Sequence, residues 1–165
     1  MTKTTDHTSL YALQIFIDRL EALIAEVETL AGTNEHFYEH PSYKLLDSVN
    51  KMIYEVVPSN PSAKEYNLGR TLDKRDKDTK GNSNNYTSWK RVKNHLPARY
   101  RLFFKYQTST PQPIIYAWLN DNKTLRKEGA KTDVYMTFLR LLKAGTIPNS
   151  WQELVDEANN LPEVG

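Results

Sequence analysis

The sequence contains no cysteine. Disulfides, thiolate metal sites and cysteine nucleophiles are therefore excluded. No apolar run approaches the roughly 18 residues that a membrane-spanning helix needs. The start, Met1 to Ser9, is polar and has no apolar stretch behind a basic segment, so no secretory signal is read there. These absences are compatible with a cytoplasmic setting. A phosphate-binding glycine loop is missing too, since Gly69 stands alone. His7, His36, His40 and His95 are too dispersed for an obvious metal set, and there is no HExxH. Neither a catalytic histidine pair nor a cofactor is implied. His95 is the one histidine close to the basic strands described below, and a turn role is its simpler reading.

What is present is a basic middle. Residues 64–131 hold 16 Lys and Arg against 6 Asp and Glu, a surplus of +10. Residues 1–63 carry −5 and residues 132–165 carry −3, which leaves the net charge of +2. A cationic centre between acidic flanks points to a polyanion partner, or else to an unevenly charged ordinary surface. The length of 165 residues fits a single domain spanning 1–165.

Phe16, Leu20, Leu23, Val27 and Leu30 recur at helical spacing, and Gly32 follows as a stop, predicting a helix from about Ile15 to Ala31. Leu10 to Leu13 reads either as an extension of that helix or as a short strand. Pro41 suits the first turn of a second helix, striped by Leu45, Leu46, Val49, Met52, Ile53 and Val56 and ended by Pro58. Gly69 to Ser88 is polar and unpatterned, a long loop at about 69–88 that is either a tolerated insertion or functional. Strand material follows at Trp89–Lys93, Arg99–Tyr106 and Ile114–Leu119. Short connections between these runs predict antiparallel pairing. Two helices close the chain, Thr132 to Lys143 and one from Ser150, where Ser150-Trp151-Gln152-Glu153 is a capping box, to near Asn160. The predicted class is α+β: a small antiparallel sheet with one face covered, two N-terminal helices packed on it, and C-terminal helices.

Along Arg99–Tyr106, alternation puts Arg99, Arg101, Phe103 and Lys105 on one face and Tyr100, Leu102, Phe104 and Tyr106 on the other. In the preceding strand Arg91 and Lys93 share a face with Trp89. Lys90 and Val92 share the other. Paired antiparallel, Arg91, Lys93 and Arg101 converge, or the face is a solvated one with scattered cations. RNA cleavage fits such a set. The ribose 2′-oxygen attacks the adjacent phosphorus, and cations stabilise the phosphorane. Crowded like charges lower a lysine pKa, and tyrosine stacks on bases.

At these residues the chain resembles the YhaV toxins of the RelE/ParE superfamily. The resemblance is carried by Glu26-Val27-Glu28-Thr29-Leu30, Trp89-x-Arg91-Val92-Lys93 and Arg99-Tyr100-Arg101-Leu102-Phe103-Phe104. Asn120-Asp121-x-x-Thr124-Leu125-Arg126 and Lys131-Thr132-Asp133-x-Tyr135 carry it further. It runs from about Tyr11 to Glu157 and is densest over Trp89 to Lys143. It implies a RelE-like fold, in which Leu10–Leu13 is a first strand. It also implies a metal-independent endoribonuclease that cleaves mRNA, aided by ribosomes, and a PrlF-like antitoxin as partner. The catalytic residues it implies are Arg101 on the phosphorane, Arg91 and Lys93 on phosphate with Lys93 a candidate base, and Tyr135 stacking on or orienting the nucleotide. Tyr135 also reads as core. RNA-binding candidates are Arg99, Lys105, Arg126, Lys131 and Lys90, with Arg126 and Lys131 alternatives for one further cation.

Two departures stand out. The 69–88 loop is longer than the family pattern, and His95-Leu96-Pro97-Ala98 replaces a glycine-rich turn. The second leaves the register of Arg91 and Lys93 open by one residue, and a slip would turn both away. A ParE-like gyrase-binding toxin and a non-catalytic RNA-binding module are the competing readings. A cation cluster with Tyr135 discriminates against the first, and the absence of a metal or histidine site keeps the second open.

Overall fold

The computed structural model describes residues 8–68, 86–109 and 111–162. The long polar stretch read at about 69–88 lies outside the described residues, apart from 86–88. Strands β1 (Thr8–Ala12), β2 (Lys90–Val92), β3 (Leu102–Tyr106), β4 (Gln112–Leu119) and β5 (Asn159–Asn160) form one sheet in the order β2-β3-β4-β1-β5. Helices α1 (Gln14–Thr33) and α2 (Pro41–Lys51) follow β1, and α3 (Val134–Lys143) and α4 (Trp151–Glu157) follow β4.

The antiparallel expectation holds across β2, β3 and β4 but not for β1, which runs parallel to β4 with Leu10 opposite Ile114. Parallel neighbours require a long crossover, and the helical segment after β1 supplies it. The sheet is therefore mixed. The ambiguous Leu10–Leu13 segment is strand up to Ala12, and Leu13 then caps α1.

Each helix forms where its apolar stripe meets the sheet. Phe16, Ile17, Leu20, Leu23 and Val27 are the buried residues of α1. The α2 helix begins with Pro41 at its first turn, and His40 Nδ1 accepts a hydrogen bond from the Ser42 amide at 3.0 Å. It continues through a π-helical turn, Met52–Val56, and a last turn at Val57–Ser59. The wide turn lies just ahead of Pro58, whose ring cannot sit against a regular α-helical turn. The second helical segment thus ends within a residue of the predicted stop.

The expectation of one covered face is corrected. Leu102, Phe104, Ile114, Tyr116 and Val92 pack with α1 and α2 in one core. Phe103, Ile115, Ala117 and Trp118 pack with Val134, Tyr135, Phe138 and Leu139 in a second. Phe103 and Phe138 stack at 3.9 Å between centroids. The α3 helix thus covers the β3 face that alternation left as a candidate free surface. The chain manages this through a bulge in β4: Phe103 pairs with Trp118 while Phe104 pairs with Tyr116. Ala117 is the extra residue, and it lets Ala117 and Trp118 both join the second core.

At the C-terminus, Ser150 accepts from the Glu153 amide at 3.2 Å, as a capping residue should. The helix stops at Glu157, earlier than predicted, because Asn159 and Asn160 pair with Ala12 and Tyr11 at the sheet edge.

Candidate active site

Arg101 directly precedes β3, and its backbone is pinned before its side chain is used. The Arg101 amide donates to Asn120 Oδ1 at 2.8 Å. Asn120 Nδ2 donates to the carbonyls of Arg99, at 3.1 Å, and Thr124, at 2.8 Å. Asn120 is fully buried just after β4, so a single amide ties the start of β3 to the loop carrying Arg126. Arg19 on α1 donates from Nε and Nη2 to the Asn120 carbonyl.

The Arg101 side chain runs to α3. Its Nε donates to the Tyr135 hydroxyl at 3.0 Å, and its Nη1 donates to the Tyr100 carbonyl at 2.9 Å. The Nη2 group makes no hydrogen bond among the described residues. Arg126 approaches the same tyrosine, with its guanidinium carbon 5.1 Å from the ring centroid against 5.9 Å for Arg101. Arg126 Nη1 bonds Asp133 Oδ1 at 2.8 Å. Asp133 is buried and caps α3, accepting from the Tyr135 amide at 3.1 Å and from the Lys127 amide at 2.6 Å. Burial alone would raise its pKa. The hydrogen bond from Arg126 and the backbone bonds from Lys127 and Tyr135 outweigh that and hold it below the ordinary carboxylate value.

Two guanidinium groups on one phenol make a local concentration of positive charge with a hydroxyl inside it. Since Arg101 donates to the Tyr135 oxygen, the phenolic proton is left to donate elsewhere. Arg101 and Tyr135 are nearly buried, whereas the Arg126 side chain retains 26% exposure. The Arg126 guanidinium is thus the more open side of the cluster.

Residues 10–159 match the family described as a toxin with endonuclease activity, of toxin–antitoxin systems. The chain belongs to the YhaV toxin family. Ribonuclease toxin YhaV of Escherichia coli (strain K12) is 40% identical over 150 residues, covering 90% of each chain. Toxin YhaV of Escherichia coli O157:H7 is likewise 40% identical over 90% of each chain. Toxin YhaV of Escherichia coli O6:H1 (strain CFT073) is 39% identical over the same share. No solved structure matches the chain. A YhaV-family chain is an enzyme, a nuclease, and one half of a toxin–antitoxin system.

Within this YhaV-family fold, Arg101, Tyr135 and Arg126 come together. Arg91 pairs with Phe103, so it lies on the Arg101 face of the sheet, and its Nη1 donates to the Asn67 carbonyl at 2.6 Å. Its Nε is buried without a hydrogen bond. Continuing that register one residue past the ladder sets Lys93 opposite Arg101, and Lys93 is exposed. Lys90 falls on the other face and donates to Asn67 Oδ1 at 2.8 Å. Arg99 is exposed with φ of +74°, and Lys131 is exposed near the start of α3. His95 pairs with Glu65 at 2.9 Å.

Lys105 does not join the cluster. It sits four residues along the chain from Arg101, about 13 Å at strand spacing. Its ammonium lies 4.8 Å from the Trp89 ring and donates to the Asn149 carbonyl. Burial lowers its pKa to about 8.

Asn120 and Asp133 are the organising residues that sequence reasoning quoted in motifs without assigning. Asp133 had a legible signal, an acidic residue just before an apolar helix. A polar residue ending a buried strand was the corresponding sign for Asn120.

Proposed function

We propose that this YhaV-family toxin is a metal-independent endoribonuclease that cleaves mRNA on the ribosome, on a RelE-like scaffold, and that a PrlF-like antitoxin neutralises it in the cytoplasm. The observation that carries the reading is the Arg101–Tyr135–Arg126 cluster. Support also comes from the K12 relative, which is named a ribonuclease.

In the proposed reaction the 2′-oxygen loses its proton to a base, for which exposed Lys93 is the candidate. It forms a bond to the adjacent phosphorus as the bond to the 5′-oxygen breaks. The products are a 2′,3′-cyclic phosphate and a 5′-hydroxyl. Arg126 admits the phosphate, and Arg101 Nη2 donates to a non-bridging oxygen as negative charge builds. The Tyr135 hydroxyl protonates the departing 5′-oxygen. Arg91 and Arg99 hold neighbouring phosphates.

The burial of Arg101 favours a second assignment of its role, in which it fixes the tyrosine while Arg126 touches phosphate. The two assignments share one reaction and are separated by the substitutions discussed below.

The test is incubation of purified protein with mRNA, with and without ribosomes, followed by end mapping. A substrate bearing one 2′-deoxyribose at the mapped cut should resist cleavage, and EDTA should have no effect. Loss of activity in EDTA would overturn the mechanism.

A further inference from the structure

The Arg101 and Arg126 guanidinium groups reach the Tyr135 ring from two separate stretches of chain, one just before β3 and one in the loop after β4. Like charges repel, so their approach to one phenol has to be imposed by the backbone that carries them. Both stretches meet at Asn120. Its Oδ1 accepts from the Arg101 amide at 2.8 Å. Its Nδ2 donates to the carbonyl of Thr124, two residues before Arg126, at 2.8 Å. The same Nδ2 donates to the Arg99 carbonyl at 3.1 Å, and that carbonyl also takes the Arg126 amide at 3.0 Å. One acceptor and two donors are thus all in use, and they fix which way the side-chain amide faces.

Asn120 is itself held from the other layer. Arg19 on α1 donates to its carbonyl at 3.2 and 3.0 Å. The turn that offers the Thr124 carbonyl is fixed by its own side chains: Thr124 Oγ1 accepts from the Asp121 amide at 3.1 Å and donates to Asp121 Oδ1 at 2.8 Å. Aspartate has the size of asparagine but no N–H for the two carbonyls, and alanine has neither donor nor acceptor. Asn120 is fully buried, so whatever it does for RNA it does through other residues.

We propose that Asn120 is a positioning residue of the cleavage reaction, its side-chain amide setting the spacing of Arg101 and Arg126 about the Tyr135 hydroxyl. The proposal rests on the reading of RNA cleavage at that cluster and adds to it the residue that assembles the cluster.

The test uses the full chain and an RNA oligonucleotide spanning a mapped cut site, with urea melts run alongside. Asn120→Asp should lower kcat by about a hundredfold, the scale of a displacement near 1 Å at the reacting groups. KM should stay within about threefold of wild type, because the exposed cations still bind phosphate. In an Arg126→Ala background the same change should cost no more than about tenfold, since one of the two spaced cations is gone. Asn120→Ala should act in the same direction as Asn120→Asp. Thr124→Ala leaves Asn120 in place and loosens only the turn at the surface, so it carries the test if both Asn120 variants unfold. Its kcat should fall by about threefold or more. A folded Asn120→Asp protein with kcat within about threefold of wild type would overturn the proposal. An unchanged kcat in Thr124→Ala would do the same. So would a raised KM with kcat kept, or an Asn120→Asp loss that multiplies in full with Arg126→Ala. Failure of RNA cleavage itself, or of its dependence on the 2′-hydroxyl, overturns the underlying reading and shows in the wild type alone.

Discussion

Arg101 Nε and the Tyr135 hydroxyl are joined at 3.0 Å, linking the start of β3 to α3 across 34 residues of chain. The bond makes the two side chains a unit. Arg101→Ala should lower the cleavage rate by about a hundredfold or more, the scale of one lost electrostatic donor. Because Arg101 is buried, the substitution should also destabilise the fold by about 1–3 kcal/mol, the usual result of orphaning a buried partner. Tyr135→Phe should show a comparable rate loss if the phenol is the proton donor. The double variant should fall far short of the product of the two effects. Rates measured beside urea melts provide the check. A folded Tyr135→Phe protein cutting at the normal rate would reduce Tyr135 to core. If Arg126→Ala loses more rate than Arg101→Ala, Arg126 is the phosphate ligand and Arg101 the positioning residue.

Asp133 links Arg126 to the start of α3. Its folded pKa is depressed, so its contribution to stability is complete above the unfolded value of about 3.9 and is lost as pH falls through the folded value. Asp133→Asn keeps some capping capacity but gives up the ion pair. It should cost about 1–3 kcal/mol at pH 7 and progressively less as pH falls below the unfolded value of about 3.9. Urea unfolding across pH 2–7 reads this directly, and a pH-independent difference between the two proteins would sink the argument.

Lys105 titrates in the opposite sense. Burial lowers its folded pKa to about 8. Between that value and the unfolded value of about 10.4 the unfolded chain holds the extra proton, so stability rises with pH. Below about 8 both states are charged and the burial cost is present in full. Lys105→Met should therefore flatten the pH dependence between 7 and 10 and stabilise most near neutrality. Its cleavage rate should stay within about threefold of wild type, since an effect near 1 kcal/mol or less separates a distant residue from the site. Melts from pH 7 to 10 and cleavage assays test the two halves separately.

These side chains also show what a sequence exposes and what it hides. The period-two pattern of Arg99–Tyr106 separated Phe103 from Phe104, and the two do pack into different cores. That both faces are covered was not legible, because α3 is distant in sequence and its stripe could have packed on either side. The burial of Lys105 was hidden for the same reason. It depends on Trp89 and Asn149 arriving from elsewhere. The bulge at Ala117 has no mark of its own: no glycine or proline flags it, and only pairing against Phe103 and Phe104 reveals it. Local chemistry was more readable. The Ser150 cap, the Pro41 helix start and the stop at Gly145, with φ of +76°, are each fixed within a few residues of chain.

Arg99 occupies a left-handed conformation, φ +74°, that favours glycine. The family resemblance leads one to expect a glycine-rich turn just before it, where the chain has His95-Leu96-Pro97-Ala98, and the residue that takes the left-handed geometry is this arginine. Its carbonyl is fixed by the Arg126 amide at 3.0 Å and by Asn120 Nδ2 at 3.1 Å. Strain of this kind costs about 1 kcal/mol or more. The Arg99 side chain is exposed two residues before Arg101, where the proposed reading gives its charge a neighbouring phosphate to hold. Arg99→Gly should raise stability by up to about 1 kcal/mol, part of the relief being offset by the freer unfolded chain. It should also weaken RNA binding and reduce the log–log salt slope by about 0.7, the share of one phosphate contact on a single strand. Arg99→Lys should keep both the strain and the slope. Binding of a 2′-deoxy-blocked RNA across a salt series, beside thermal melts, measures both. An unchanged salt slope in Arg99→Gly would show that the exposed arginine touches no phosphate.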